Sequence, residues 1–330
     1  MDFTQEFKES LFDLKRGNFE EKALSLFRYQ AVNNPVYKQY LKCLSVDPFS
    51  VRELTKVPFL PIRFFKSHDV VSGKPPIREV FSSSGTTGAE RSRHLIADPE
   101  LYRKTSLEIF RRFYGDISEY LFMALLPSYQ ENPGSSLIYM INYFMKESGK
   151  LSPGFLPKDY SGFQIALKEA RSAGRKIVLF GVSFALLDLA THYPGIDLSG
   201  LILIETGGMK GRREEMTREE LHETLKTAFN LTSIHSEYGM TELLSQAYSK
   251  GEGIFETAPW MKVFIRDIND PFSPSNSGNG GINIADLANV DSCAFIETED
   301  IGRKAGENTF EVLGRFDNSD VRGCNLLYLN

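Results

Sequence analysis

A chain of 330 residues, 42% of them hydrophobic, can bury a substantial core as one large domain or two ordinary ones. Its 38 basic and 43 acidic side chains leave a formal net charge of -5, which argues against the positive field that draws proteins onto nucleic acid or anionic membranes. Three cysteines, Cys43, Cys293 and Cys324, are an odd number for a disulfide framework, and no stretch reaches the ~18 apolar residues of a membrane span, so a cytoplasmic protein is expected. Residues 1–76 read as an N-terminal helical layer: Phe3, Phe7, Leu11 and Leu14 recur at helical spacing, and the segment closes on the proline-punctuated VPFLPIRFFKSHDV. Between 77 and 270 the pattern changes to β-rich runs at 120–127, 176–182, 201–208 and 232–239, separated by helical ones, which predicts an α/β core with mostly parallel strands. One intervening helix, 217–229, carries an apolar stripe of Leu221, Leu225 and Phe229 and a capping box of Thr217 and Glu220. PFSPSNSGNGG (271–281) reads as a loop and a subdomain boundary, so 271–318, with GINIADL, CAFIETED and FEVLGRF, is expected to form a small antiparallel β-subdomain ahead of a tail, 319–330.

The strongest local signal is Phe81-Ser82-Ser83-Ser84-Gly85-Thr86-Thr87-Gly88, which follows the β-like IREVF. Such a loop offers hydroxyls and backbone N–H groups to a polyphosphate, and its glycines allow close approach. No GxxxxGK[ST] string occurs, which argues against a P-loop kinase or GTPase. Taken alone, a surface Ser/Gly turn explains the string as well. A second signal, Glu237-Tyr238-Gly239-Met240-Thr241-Glu242, falls where a strand hands over to a helix, the usual ligand edge of an α/β sheet. There Tyr238 can stack on a purine, Thr241 can hold phosphate, and Glu242 offers the hard oxygen that Mg²⁺ takes beside phosphates. The plainer alternative is core and cap. His94 and His235 read as structural histidines, with His94 also able to line the phosphate or acyl site. Met140–Met145 reads as a core helix face with an acyl wall as its alternative.

Together with the C-terminal block, these strings resemble the adenylate-forming superfamily of acyl-CoA ligases, luciferases and peptide-synthetase adenylation domains. The resemblance implies ATP and Mg²⁺ as cofactors and a carboxylic acid as substrate. Ser83, Ser84, Gly85, Thr86, Thr87 and Gly88 would form the phosphate loop, although Ala89-Glu90-Arg91 stand where a lysine often follows. Tyr238 to Glu242 match the Y-G-x-T-E string in full, implying Thr241 at the AMP phosphate and Glu242 as the Mg²⁺ ligand. Thr206-Gly207-Gly208 resembles the Gly-Gly turn along the adenine, with a plain strand-to-loop turn as the alternative. Thr298-Glu299-Asp300-Ile301-Gly302 is similar to T-G-D-x-G, with Glu299 in place of glycine, and implies Asp300 at the ribose hydroxyls. Gly314-Arg315-Phe316-Asp317-Asn318 resembles G-R-x-D-D, implying Arg315 at the ribose and a hinge at Asp317-Asn318. The implied fold is the large N-terminal α/β domain of the superfamily with a small β-subdomain. The chain ends twelve residues after Asn318, so the superfamily's C-terminal lid is expected to be absent.

The ending VRGCNLLYLN, with FLPIRFFK (59–66) and LLPSYQENPGSSLIYMINYFM (125–145), is similar to the acyl-protein synthetases of bacterial luminescence fatty-acid reductases. In that family a fatty acid is adenylated and passed to a cysteine near the C-terminus, from which a partner reductase takes it, which implies Cys324 as acyl acceptor. A thiolate suits that step, and Arg322 nearby favours the ionised form. Three alternatives stay open: a structural Cys324, an acyl-CoA ligase whose lid is another polypeptide, and a catalytically inactive nucleotide-binding scaffold.

Overall fold

The computed structural model describes residues 2–14, 16–83, 91–126, 134–149, 152–157, 160, 162–207, 216–275 and 278–316. In chain order the first half contributes α1 (Phe3–Glu9), α2 (Phe19–Asn33), α3 (Pro35–Cys43), β1 (Leu60–Pro61), α4 (Phe64–Ser67), β2 (Glu79–Ser82), β3 (Arg93–Ile96), α5 (Pro99–Tyr114), β4 (Tyr120–Leu125), α6 (Ser136–Glu147) and β5 (Gly154–Phe155). The second half contributes α7 (Phe163–Ser172), β6 (Lys176–Val182), α8 (Ser183–His192), β7 (Leu201–Thr206), α9 (Arg218–Phe229), β8 (His235–Tyr238), β9 (Ala247–Ser249), β10 (Ile254–Glu256), β11 (Met261–Arg266), β12 (Asn279–Asp286), β13 (Phe295–Lys304) and β14 (Thr309–Arg315).

Local chemistry explains the helix boundaries. Asn34 ends α2 and caps α3, accepting from the backbone of Val36 and Tyr37, while Pro35 opens α3 where a missing N–H costs nothing. Asp98 and Pro99 start α5 in the same way, and Gly115, at φ 93°, terminates it. Thr217 and Glu220 form the expected capping box of α9, a motif contributing about 1 kcal/mol.

The principal sheet runs β11-β12-β13-β14-β10-β9-β8-β7-β6-β4-β5, with β1 lying parallel on β13. Apart from β1 on β13, parallel pairing runs through β5-β4-β6-β7-β8, which includes the four expected β-rich runs, while the sheet as a whole is mixed. Helices α7, α8 and α9 supply the crossovers that parallel neighbours require, whereas the strands from β8 onward have no helix between them and pair with one another antiparallel. The Pro/Ser/Asn/Gly-rich segment connects β11 to its antiparallel partner β12, so by hydrogen bonding β11 groups with the strands after that segment.

Both faces of the parallel region are covered, which is why its strands read as unbroken apolar runs. Phe122, Ala124, Val178, Phe180, Val182 and Ile204 point to one core, shared with Ile109 and Phe110 of α5 and Ile141 and Phe144 of α6. Their alternates Leu121, Met123, Leu179 and Leu203 face a second core made with Phe163, Leu186, Leu225 and Phe229 of α7, α8 and α9. The N-terminal helices join the first core: fully buried Gln30 donates to the carbonyls of Asn289 and Val290 and accepts from Ala294 N. Among the described residues no helix is long and apolar enough to cross a membrane.

Candidate active site

Strands β2 and β3 form a hairpin whose open ends lead into and out of the phosphate-loop string. Ser83 and Ser92 close its base: Ser83 N donates to Ser92 O at 3.1 Å, and Ser92 N donates to Ser83 Oγ at 3.0 Å. Ser84, Gly85, Thr86, Thr87 and Gly88 lie outside the described residues. The Ser92 side chain, buried at the loop's exit, hydrogen-bonds the Glu242 carboxyl. The two strongest sequence signals, 154 positions apart from Gly88 to Glu242, therefore meet through their flanks.

Glu242 is 5% exposed, and burial raises its carboxyl above the ordinary range, offset by the Ser92 bond and the charges of Arg315 and Lys66. Its backbone is held from behind by a turn that nothing in the motif strings announced. Asn289 Nδ2 donates to Glu242 O at 2.8 Å, and Asp286 Oδ2 accepts from the backbone N–H of Leu244 and Ser245 at 3.1 and 2.8 Å. Both side chains are fully buried. In the sequence they stand, with Asn283, as polar residues in a largely apolar run, INIADLANV, and that placement is the signal of buried hydrogen-bonding work.

Thr241 offers its carbonyl to His94 Nδ1 at 2.9 Å, while His94 Nε2 meets Ser292 Oγ at 2.8 Å. A carbonyl only accepts, so Nδ1 carries the proton and Nε2 accepts from the serine. Burial pushes the His94 pKa down to about 4, which keeps the ring neutral in this bridge. His94 thus ties the Thr241 backbone to Ser292. His235 packs parallel to the Tyr114 ring and meets its hydroxyl at 3.1 Å.

Tyr238 is 9% exposed and its ring packs against Phe255 and Phe310, while its hydroxyl donates to Asp300 Oδ2 at 2.7 Å. Burial raises Asp300, and the bond from Tyr238 and the charge of Arg315 oppose it. Arg315 is the Cα partner of Asp300 across β13 and β14; its guanidinium is 67% exposed and lies 3.3 Å from Glu299. At the end of β7, Gly207 takes φ 75°, a conformation that favours glycine, and its carbonyl accepts from Ser183 Oγ at 2.6 Å. Gly208, Asp317 and Cys324 lie outside the described residues. Gly239 makes room for its neighbour: a Cβ there would stand 2.4 Å from Glu237 Oε1.

Two buried carboxylates flank this region in opposite states. Glu205 would be raised by burial, but the hydrogen bond from His222 and the charge of Arg218 hold it below the ordinary range. Glu237, one strand over, has Thr206 Oγ1 as donor at 2.5 Å, and burial pushes it up to about 7. The segment weighed as an acyl wall lies in α6, where Met140, Ile141 and Phe144 are buried core residues.

A single carboxylate such as Glu242 suits Mg²⁺, which keeps several waters and takes most of its remaining oxygens from phosphates. No cluster of three or more acidic, histidine or cysteine side chains that would cage a metal occurs among the described residues.

The fold is shared with solved ligases. ATP-bound MatB from Rhodopseudomonas palustris superposes with a TM-score of 0.55 at 14% identity, covering 74% of this chain and 49% of that chain. 2-Hydroxyisobutyryl-CoA ligase, in an open conformation with 2-HIB-AMP and CoA, gives a TM-score of 0.67 at 12% identity, covering 91% of this chain and 70% of that chain. The same ligase in its postadenylation state covers 94% of this chain at a TM-score of 0.67 and 11% identity. The chain thus has the α/β fold of the large N-terminal domain of adenylate-forming ligases, and it spans about half the length of MatB. No protein-family model and no curated protein sequence matches it.

Proposed function

We propose that this chain activates a carboxylic acid with ATP as an acyl-adenylate. The observation that carries the reading is convergence. The closing residues of the phosphate loop reach Glu242 through Ser92, and Tyr238 reaches Asp300, at the carboxyl end of β7 and β8 where open α/β sheets bind ligands. A solved ligase of this fold holds an acyl-AMP, which supports the same chemistry here.

In the proposed reaction a carboxylate oxygen of the acid attacks the α-phosphorus of ATP. The new O–P bond forms as the bond to the bridging oxygen breaks, and pyrophosphate leaves with the electron pair. The carboxylate is already ionised at neutral pH, so no general base is needed, and positioning with charge stabilisation carries the step. Ser83 and the loop beyond it would face the phosphates, and Thr241 would contact the AMP phosphate. Glu242 would hold Mg²⁺, which neutralises phosphate charge when bound. Asp300 and Arg315 would face the ribose, and Gly207 the adenine. The test is Mg²⁺-dependent ATP–pyrophosphate exchange stimulated by a carboxylic acid. Nucleotide binding without exchange for any acid would leave a scaffold.

The ribose assignment predicts that Asp300→Ala weakens ATP binding by about tenfold to a hundredfold, the worth of a hydrogen bond to a charged group. Titration calorimetry would read it, with circular dichroism reporting the fold. Unchanged affinity removes Asp300 from the nucleotide site.

We further propose that the acyl group moves to Cys324, as in acyl-protein synthetases. The thiolate sulfur attacks the acyl carbonyl carbon, the C–S bond of a thioester forms, and the bond from that carbon to the phosphate oxygen breaks so that AMP leaves with the electron pair. A reducing, cytoplasmic setting keeps that thiol free, and an acyl reductase is a suitable partner to accept the acyl group. The support is the likeness of the RGCNLL ending to that family.

A further inference from the structure

Strand register determines which side chains share one surface. Thr206, Glu237 and Tyr248 are Cα partners across β7, β8 and β9, so they stand in one row. That row lies on the face covered by α5, whose Phe113 and Tyr114 rings pack on Tyr248. Gln246, two residues before Tyr248, shares the face, and its Cγ lies 3.4 Å from where a Cβ on Gly239 would stand. All four are nearly closed to solvent, at 5% for Thr206, 8% for Glu237, 3% for Gln246 and 1% for Tyr248. Such a polar row is costly in a core and is kept where it has partners.

Two atoms of this row have no partner among the described residues, although Gln246 Nε2 donates to Leu244 O at 3.4 Å. Gln246 Oε1 and the Tyr248 hydroxyl lack a hydrogen-bond partner among the described residues, as does Thr105 Oγ1, fully buried on α5 one turn beyond Tyr102. Glu237 belongs to the same neighbourhood, because its charge acts on both Tyr102 and Tyr248. The row directly adjoins Gly207, next in the chain to Thr206, and Gly239, beside Glu237 and Gln246, and so borders the proposed nucleotide site. Both Gln246 Oε1 and the Glu237 carboxyl accept hydrogen bonds, so a ligand group that satisfies them donates.

We infer that this row recognises a hydrogen-bond donor on the substrate's chain, so that the acid activated here is a hydroxy- or amino-substituted carboxylic acid rather than an unsubstituted fatty acid. The inference rests on the adenylation reading of the adjoining site. A bare alkyl chain along the row would leave buried polar groups unpaired, and sites built to hydrogen-bond a substrate reject such analogues strongly.

The experiment measures ATP–pyrophosphate exchange by the full chain with straight-chain acids and with chain-matched acids carrying a hydroxyl or an amino group near the carboxyl. Donor-bearing acids are expected to exceed their unsubstituted counterparts in kcat/KM by about a hundredfold or more. The hydroxyl and amino series separate the two donors. Glu237→Gln and Gln246→Leu, verified as folded by circular dichroism, should each reduce that preference about tenfold. Equal or faster exchange with unsubstituted acids, or a preference unmoved in both variants, overturns the inference and leaves adenylation standing. If no acid supports exchange, adenylation itself fails, and thermal shifts with the same acids decide the recognition separately. Shifts confined to donor-bearing acids uphold it, while equal shifts or none overturn it.

Discussion

Glu242→Gln is expected to lower acid-stimulated ATP–pyrophosphate exchange about a hundredfold, the usual loss when one charge-stabilising contact leaves a preorganised site. Glutamine keeps the size of the side chain and a partner for Ser92 but removes the charge. Glu242 is 5% exposed, and the bond from Asn289 Nδ2 to its carbonyl fixes its backbone, so the substitution has little room to reorganise the site. The residual exchange should respond weakly to Mg²⁺ concentration if this carboxylate is what holds the ion. Exchange within a few-fold of the parent protein, with an unchanged Mg²⁺ requirement, would remove Glu242 from the mechanism. A loss accompanied by unfolding is separated from a loss of chemistry by the thermal midpoint.

Cys324→Ala is expected to abolish covalent acylation while sparing pyrophosphate exchange. Incubation with ATP, Mg²⁺ and a labelled acid should label the parent protein through a hydroxylamine-sensitive bond, as a thioester requires. The reach is adequate. Phe316 N donates to Glu299 O at 2.7 Å, which places the start of the tail one residue from Asp300. Cys324 lies eight positions after Phe316, and at ~3.3–3.6 Å per residue those steps span at most about 28 Å. The competing thiols are unequal controls: Cys293 is fully buried with its pKa pushed up to about 12, whereas Cys43 is exposed. Label that persists in Cys324→Ala, or maps to Cys43, would end the acyl-carrier reading without touching adenylation. Should the variant instead lose exchange as well, the tail would belong to the first half-reaction.

The strings that point to nucleotide chemistry are contiguous, so a linear reading recovers them: SSGTTG, YGMTE, TEDIG and GRFDN are each a few covalently joined residues. The same holds for elements set by local periodicity and capping. The apolar runs at 120–127 and 176–182 became β4 and β6, and Thr217 with Glu220 formed the capping box of α9. The joining of the parallel and antiparallel strands into one continuous sheet was not legible, because an apolar run does not encode which strand lies beside it.

What the sequence determined by itself was therefore the inventory and order of reactive groups and the α/β class, since both follow from residues adjacent in the chain. Only the tertiary structure decided which groups meet. Ser92 joins Glu242, Asp286 and Asn289 hold the segment that follows Thr241, and His94 bridges Thr241 and Ser292, which lie 147 and 198 positions from it in the chain. It also decided that Glu237, one residue before a recognisable tyrosine, is buried with its pKa near 7 in a row with Thr206 and Tyr248. Desolvation and cross-strand register produce that state, and both arise only when distant segments close around a residue, which is why no local pattern announces them.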